Sequence, residues 1–230
     1  MFRALAARGN YLAQDRSDIG FAVKELSRRM SEPTEADWEA LKKLGRYLVD
    51  KSRCIIRFPY QDEVKVLTTW SDTDFAGCKR TRRSTSGGVA QIGEHCVKTW
   101  SQTQAVVAMS SGEAEYYGMV RASSVGLGLI GVLEDLGVKL KLELKTDASA
   151  AKGIAQRLGL GKVRHLEVSQ LWLQQKVANG EIRVIKVPGG ENRADALTKH
   201  VSREVLEEHI RGVGGEVIQG RHELMPQVGS

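Results

Sequence analysis

The sequence predicts an α/β domain with a mixed five-stranded sheet, helices on its faces, and a small helical segment in front of it. Two observations support this fold class. Between residues 64 and 200, short runs typical of strands alternate with longer runs at helical spacing, in the order βββαβααβα, which implies a mixed sheet. Before residue 60 only helical patterns occur. We therefore expect a helical segment at 1–62, the sheet domain at 63–200, and a C-terminal helix with a flexible tail at 201–230.

The helical segment carries its own start and stop signals. Thr34 followed by Asp37 predicts a capping box, and Pro33 prevents the preceding helix from continuing. An apolar stripe follows at helical spacing and consists of Trp38, Leu41, Leu44, Tyr47 and Leu48. Because so short a segment is a marginal domain alone, we expect it to dock partly at the sheet edge rather than remain an exposed patch that promotes self-association.

In the sheet domain, three short strands come first and a long helix that ends at Gly137 follows them. The predicted strands lie at 65–73, 86–92, 95–101, 139–146 and 181–187, with a Gly93-Glu94 turn between the second and third. The predicted helices lie at 111–136, 148–158, 165–178 and from 192 onward. After Val201 the sequence is glycine-rich and charged, so we expect this tail to fray.

Composition sets modest bounds on function. The net charge of +6 and the isoelectric point near 9.3 favour a polyanionic partner, although the signal is weak over 230 residues. The cysteines Cys54, Cys78 and Cys96 have no metal-ligand spacing, which fits a reduced compartment. No apolar run approaches the roughly 20 residues that cross a bilayer, so we expect a soluble intracellular protein, in the cytoplasm or a virus-like particle.

Four acids stand at the boundaries of predicted elements. Asp72 and Asp147 end strands, whereas Glu115 and Asp195 stand at helix starts. Parallel strands deliver their ends to the same edge of a sheet, so the four carboxylates are expected to gather there. Such a group repels itself unless divalent cations occupy it, and the all-oxygen ligand set therefore predicts Mg²⁺ and phosphodiester hydrolysis by two metal ions.

Alternatives exist for these acids. Asp74 lies two residues beyond Asp72, so it shares a strand face with it and could assist or replace it. Glu113 and Glu115 are about 200° apart on a helix, so only one of them faces the sheet. Asp147 precedes a predicted helix, where capping is the commoner role of an aspartate.

A basic loop follows the first acidic strand. Its arginines, Arg80, Arg82 and Arg83, could contact nucleic-acid phosphates, and a solvated charge run is an equally good interpretation. The next hydroxyl residues, at 84–86, could reach a phosphate or a 2′-hydroxyl group, or could form a turn. These residues are Ser84, Thr85 and Ser86.

Five blocks of the sequence form a specific ordered pattern. They are S-D-T-D-F-A-G at 71–77, R-S-T-S-G at 83–87, S-S-G-E-A-E-Y at 110–116, V-R-H-L-E-V at 163–168 and A-D-A-L-T-K at 194–199. In this order they resemble the ribonuclease H domain that ends the Pol polyprotein of copia-type LTR retrotransposons. The segment 11–23 also resembles that family's link from reverse transcriptase to ribonuclease H, whereas the paired-Asp strand motif of the polymerase is absent from the sequence.

The resemblance implies a ribonuclease H-like fold and hydrolysis of the RNA strand of RNA–DNA hybrids during reverse transcription. It implies two Mg²⁺ ions, with Mn²⁺ as a substitute. Asp72 would bridge both ions, Glu115 and Asp147 would hold the ion on the leaving-group side, and Asp195 would hold the ion on the water side. The resemblance also adds His165 to the substrate-binding residues, and it implies the reverse transcriptase portion of the same polyprotein as a partner.

Departures from the family pattern keep two other functions open. Phe75 replaces a tryptophan, T-D-A at 146–148 replaces D-N-Q-S, and the loop at 187–193 lacks the histidine that many cellular ribonucleases H carry. These differences favour a catalytically decayed remnant that still binds nucleic acid. Another polynucleotidyl transferase on the same fold, such as an integrase or a resolvase, is the third interpretation.

Overall fold

The computed structural model describes residues 1–161, 166 and 168–220. Its helices are α1 Phe2–Leu12, α2 Gly20–Ser27, α3 Glu35–Asp50, α4 Ser111–Asp135, α5 Ser149–Ala155, α6 Trp172–Ala178 and α7 Arg203–Gly212. Its strands are β1 Arg53–Ile56, β2 Val66–Asp74, β3 Thr85–Ile92, β4 His95–Thr103, β5 Lys141–Thr146, β6 Ile182–Lys186 and β7 Gly215–Ile218. Short 3₁₀ turns lie at Ser17–Ile19, Val168–Gln170, Gly189–Glu191 and Asp195–Leu197.

Five strands form one mixed sheet in the order β4-β3-β2-β5-β6. Strand β2 lies at its centre, antiparallel to β3 and parallel to β5, and β5 is parallel to β6. The predicted mixed five-stranded sheet with helices on its faces is confirmed. Because β2 and β5 run in the same direction, their C-terminal ends meet at one edge of the sheet.

Helix α4 packs across the sheet. Ser110 caps it by accepting a hydrogen bond from the backbone N–H of Glu113, and Gly137 follows its end with a positive φ of 83°. Gly126 allows close contact with the sheet, since a Cβ there would lie 2.6 Å from the side chain of Leu142. Among the described residues, α4 is also the one helix long and apolar enough to span a membrane; Tyr116, Met119 and other residues of α4 are buried in the domain core.

The N-terminal helices have a core of their own. Residues from α1, α2 and α3 form it: Phe2, Ala6, Ile19, Val23, Leu26 and Leu44. The predicted stripe packs here, and its Tyr47 donates a hydrogen bond of 2.7 Å to Oδ2 of Asp18. The Thr34–Asp37 capping box is present. The stripe therefore packs inside the helical segment, and a different surface of this segment contacts the sheet domain.

That contact is made by α2. Lys24 Nζ lies 2.9 Å from Oγ1 of Thr85, at the first residue of β3. The ring of Phe21 packs edge-on against His200, with the ring centroids 4.9 Å apart. The segment is thus docked at the side of the sheet that carries the first and last of the candidate acids, but through α2 and not through the predicted stripe.

Two strands were missed by the sequence analysis. Strand β1 pairs antiparallel with β7, and Arg53 lies opposite Ile218. The C-terminal helix expected within 201–230 is present as α7, whereas the prediction that the tail frays is wrong over Gly215–Ile218, because β7 pairs with β1. Pairing between strands so far apart in sequence leaves no local signal.

The predicted helix from residue 192 is also wrong. The chain there forms the short turns Gly189–Glu191 and Asp195–Leu197, and the next α-helix is α7. Asp195 consequently opens a 3₁₀ turn and not an α-helix. Helices α5 and α6 are shorter than predicted, and residues 165 and 167 of the predicted helix 165–178 lie outside the described residues.

Candidate active site

Asp72 occupies the centre of the sheet edge. It lies on β2 directly opposite Gly87 of β3, and only 7% of its surface is exposed. A Cβ at Gly87 would lie 2.7 Å from Cγ2 of Thr198, so glycine is required there for the 195–198 turn to cover the strand. The hydroxyl of Thr198 then donates a hydrogen bond to Oδ2 of Asp72.

Three carboxylates meet at this edge. One oxygen each of Asp72, Glu115 and Asp147 lie within 4.8 Å of one another. The parallel pairing of β2 with β5 brings Asp147, which directly follows β5, beside Asp72. Glu115 reaches them from the early part of α4. Two neighbouring strands and one helix start therefore converge as the sequence predicted.

The pKa values reflect the crowding of these acids. Burial, as the largest cause, raises the pKa of Asp72 to about 6. The hydrogen bond from Thr198 lowers this pKa, whereas repulsion from Asp195 and Asp147 raises it. Burial, followed by repulsion from Asp72 and Asp147, raises the pKa of Glu115 to about 9. The buried Oε2 of Glu115 has no hydrogen-bond partner among the described residues. An all-carboxylate set with an unpartnered buried oxygen fits a hard divalent cation.

Asp195 stands slightly apart from this group. It is not among the three carboxylates within 4.8 Å, yet it is close enough to raise the pKa of Asp72. Its Oδ1 forms an ion pair with Nζ of Lys199, four residues later. The fourth predicted acid is therefore at the site, with a lysine as its present partner.

Two site residues were missed by the sequence analysis. Asn192 is buried, and its Nδ2 donates to the carbonyl of Ser71 at 3.0 Å and lies 3.4 Å from Oδ1 of Asp147. Thr198 is fully buried against Asp72. The residues around Pro188 predicted a loop, but they gave no indication that Asn192 in this loop contacts Ser71 and Asp147. Thr198, by contrast, lies inside the last of the five sequence blocks, at 194–199.

The structure separates Asp72 and Glu115 from their alternatives. Glu113 is buried away from the site, where it accepts hydrogen bonds from the backbone N–H of Met109 at 2.8 Å and the hydroxyl of Tyr117 at 2.9 Å. Asp74 is on β2, but its carboxylate lies beside the backbone of Gly77. Glu113 thus holds the loop before α4, and Asp74 is directed away from the acidic group.

Asp147 does not serve as the cap of α5. Ala148 is the N-cap residue of that helix, and no side chain makes a capping hydrogen bond there. The carboxylate of Asp147 is directed to the acidic group instead. The capping interpretation therefore does not account for this acid.

The basic loop is held by its backbone. Arg82 has a positive φ of 56°, its N–H donates to the carbonyl of Cys78 at 2.7 Å, and the Cys78 N–H donates to the carbonyl of Arg83 at 3.2 Å. Arg80, Arg82 and Arg83 are exposed, and no ion pair engages them within the described part of the chain. Their charges are available to a ligand.

The hydroxyls of residues 84–86 are used inside the protein. The Ser84 hydroxyl accepts from the N–H of Ala76 at 3.0 Å, which fits the turn interpretation. Thr85 accepts from Lys24, and Ser86 accepts from Nε2 of Gln104 at 2.8 Å. All three residues are buried, so the structure does not present them to a substrate. His165 lies outside the described residues.

The sheet order and the carboxylates at the ends of β2 and β5 define a domain of the ribonuclease H-like fold. No family model matches the chain. The retrovirus-related Pol polyprotein from transposon RE1 of Arabidopsis thaliana is 31% identical over 93% of the chain, and that from transposon TNT 1-94 of Nicotiana tabacum is 29% identical over 84%. Over most of its length the chain is thus homologous to the retrovirus-related Pol polyproteins of copia-type transposons.

The match covers a small part of these relatives. The chain spans 15% of the length of the RE1 polyprotein and 14% of the TNT 1-94 polyprotein. Among solved structures, LC11-RNase H1 in complex with RNA/DNA hybrid is 17% identical, with a TM-score of 0.39, over 57% of this chain and 93% of that one. At this identity and TM-score, the likeness says nothing about activity.

Proposed function

We propose that this chain is a metal-dependent endonuclease that hydrolyses the RNA strand of RNA–DNA hybrids during retrotransposon reverse transcription. The observation that carries the proposal is the meeting of Asp72, Glu115 and Asp147 within 4.8 Å at the C-terminal edge of two parallel strands. Homology to retrovirus-related Pol polyproteins supports it, because the resemblance of the five sequence blocks to that family implies cleavage of such hybrids.

The acids divide into two metal sites around Asp72. Asp72, Glu115 and Asp147 would hold one ion, and Asp72 and Asp195 would hold the other. Two Mg²⁺ ions, or Mn²⁺ in their place, would supply a water of lowered pKa and a Lewis acid for the leaving 3′-oxygen. Asn192 orients Asp147, and Thr198 orients Asp72, so both carboxylates are fixed before an ion binds.

The substrate surface lies beside the acids. Arg80, Arg82 and Arg83 follow β2, the strand that carries Asp72, and contact the phosphates of the hybrid through exposed guanidinium groups. The reverse transcriptase portion of the same polyprotein delivers the hybrid. All three cysteines are free thiols, in keeping with action in the cytoplasm or a virus-like particle.

The test is a cleavage assay on three labelled duplexes: an RNA–DNA hybrid, double-stranded RNA and double-stranded DNA, each with Mg²⁺ and with EDTA. We expect cleavage of the RNA strand of the hybrid alone, with Mg²⁺ alone, and none by Asp72→Asn. Asp135→Asn, an exposed acid at the far end of α4, is the matched control and keeps full activity.

The other outcomes identify the alternatives. Hybrid binding without turnover at any Mg²⁺ or Mn²⁺ concentration indicates a decayed remnant. Cleavage or strand joining on double-stranded DNA indicates an integrase-like or resolvase-like enzyme. More than roughly a tenth of wild-type turnover in Asp72→Asn, a loss below about 1.4 kcal/mol, contradicts the assignment of Asp72.

A further inference from the structure

Lys199 is the cation that the fold itself supplies to the acidic site. Its Nζ forms an ion pair with Oδ1 of Asp195, and its charge also lowers the pKa values of Asp72 and Glu115. No other ion pair of the described residues involves any of the four site acids. Four carboxyl groups are therefore balanced, in the protein alone, by one ammonium group.

The backbone at Lys199 is fixed, whereas its side chain is free to move. The preceding residue, Thr198, is fully buried, and its Oγ1 contacts Oδ2 of Asp72 and lies 2.9 Å from the carbonyl oxygen of Asp195. The side chain of Lys199 is 50% exposed, so it can leave Asp195 for solvent without breaking a packed core. An anchored residue with a mobile ammonium group is suited to reversible occupation of the site.

We propose that Lys199 is an internal counter-ion: in the metal-free protein it pairs with Asp195 where the water-side divalent ion would bind, and it is displaced when that ion binds. The inference rests on the proposed function, because it assumes that Asp195 is a metal ligand. Lys199 is a positioning residue: it keeps the crowded acidic groups together before metal arrives, and it competes with the second ion for Asp195. Occupation of the second metal position then needs a higher Mg²⁺ concentration than the acids alone would require.

Replacing Lys199 with methionine keeps the length of the side chain and removes the charge. We expect Lys199→Met to bind Mg²⁺ at the weaker of two sites roughly three- to fivefold more tightly, the range that a partly exposed ion pair contributes. In EDTA the variant melts roughly 2–4 °C below wild type, because the carboxylates lose their counter-ion. At saturating Mg²⁺ the two melting temperatures coincide.

Three variants control this result. Lys199→Arg keeps the charge and should bind Mg²⁺ as wild type does. Lys199→Gln removes the charge with a different side chain, so a folding defect of the methionine variant does not decide the outcome. Lys42→Met removes a lysine from the exposed Lys42–Glu39 pair on α3 and should leave Mg²⁺ affinity unchanged.

The experiment is calorimetric titration of the full chain with Mg²⁺, together with melting curves in EDTA and in saturating Mg²⁺. Tighter Mg²⁺ binding by both uncharged Lys199 variants, with no change in Lys199→Arg or in Lys42→Met, supports the inference. Unchanged or weaker Mg²⁺ binding by both uncharged variants, while wild type binds two ions, overturns it and leaves the proposed function standing. If neither wild type nor the variants bind Mg²⁺, the proposed function fails and the inference falls with it.

Discussion

Thr198 donates a hydrogen bond from its hydroxyl to Oδ2 of Asp72, and the contact joins residues that are 126 positions apart in sequence. The bond ties the turn that carries Asp195 to the central strand of the sheet. It also lowers the pKa of Asp72, against burial and the neighbouring acids, which raise it. A single buried hydroxyl thus fixes the position of one candidate ligand and favours its ionised form.

Thr198→Val should therefore weaken the site without changing its shape. Loss of a buried hydrogen bond to a carboxylate costs about 1–3 kcal/mol. The pKa of Asp72 rises, so we expect the acid limb of the activity profile to move to higher pH and Mg²⁺ binding to weaken. Thr198→Ser keeps the hydroxyl and should restore most of both. An activity profile with the same acid limb in Thr198→Val and wild type would show that the hydroxyl does not act through Asp72.

The metal-free protein should lose stability as pH rises. Asp72 and Glu115 have folded-state pKa values of about 6 and about 9, above the ordinary values of 3.8 and 4.5. An acid with a raised pKa binds its proton more tightly in the folded state, so its stabilising contribution is complete below the ordinary pKa and is lost as pH rises through the folded pKa. The window for this loss is therefore about pH 4 to pH 9.

Melting curves in EDTA between pH 5 and pH 9 measure this effect. We expect the melting temperature to fall by roughly 5–10 °C across the range, corresponding to a few kcal/mol. Mg²⁺ should suppress most of the fall, because bound cations replace the protons. The double variant Asp72→Asn with Glu115→Gln should show a flatter curve in EDTA. A wild-type curve as flat as that of the double variant would contradict the raised pKa values.

The arginine loop should control the salt dependence of hybrid binding. Replacing Arg80, Arg82 and Arg83 with alanine removes exposed, unpaired charges, so we expect weaker binding of the hybrid. Each lost phosphate contact reduces the slope of log affinity against log salt by roughly one. The matched control neutralises three exposed cations on α3: Lys42, Lys43 and Arg46. An identical slope in the loop variant and wild type would show that the arginines are solvated charges that do not contact phosphates.

The N-terminal segment should be required for the stability of the sheet domain. A chain that starts at residue 62 loses β1, the partner of β7, and α2, whose Lys24 and Phe21 contact Thr85 and His200. We expect it to melt well below the full chain and to expose apolar surface. Phe21→Ala in the full chain removes one docking contact and should lower the melting temperature by several degrees.

A control separates docking from general destabilisation. Tyr11→Ala removes an aromatic ring from α1 that is 82% exposed, so it should leave the melting temperature unchanged. If the chain that starts at residue 62 and the full chain melt at the same temperature and both are monomers, the helices are an independent appendage, and the contacts of α2 contribute no stability.

The sequence by itself determined the elements whose patterns are local. The length of α4, with Ser110 before it and Gly137 after it, was readable because caps and helical periodicity lie within one segment. The three strands before it were readable for the same reason, since alternation and turn residues are short-range signals. The acids Asp72, Asp147 and Glu115 could be placed together because parallel strands with a helix between them leave few arrangements.

Only the tertiary structure decided which polar groups face one another. Glu113 and Glu115 have the same side chain, and burial against Met109 and Tyr117 sets the first apart from the site. The pairing of β1 with β7 joins the two ends of the described chain, and its energy comes from long-range hydrogen bonds that no local pattern encodes. The hydroxyls of residues 84–86 were predicted to be free for substrate, and packing buries them instead. Local periodicity fixes which segments are helices or strands, whereas the environment of a polar side chain depends on neighbours that folding brings from elsewhere in the chain.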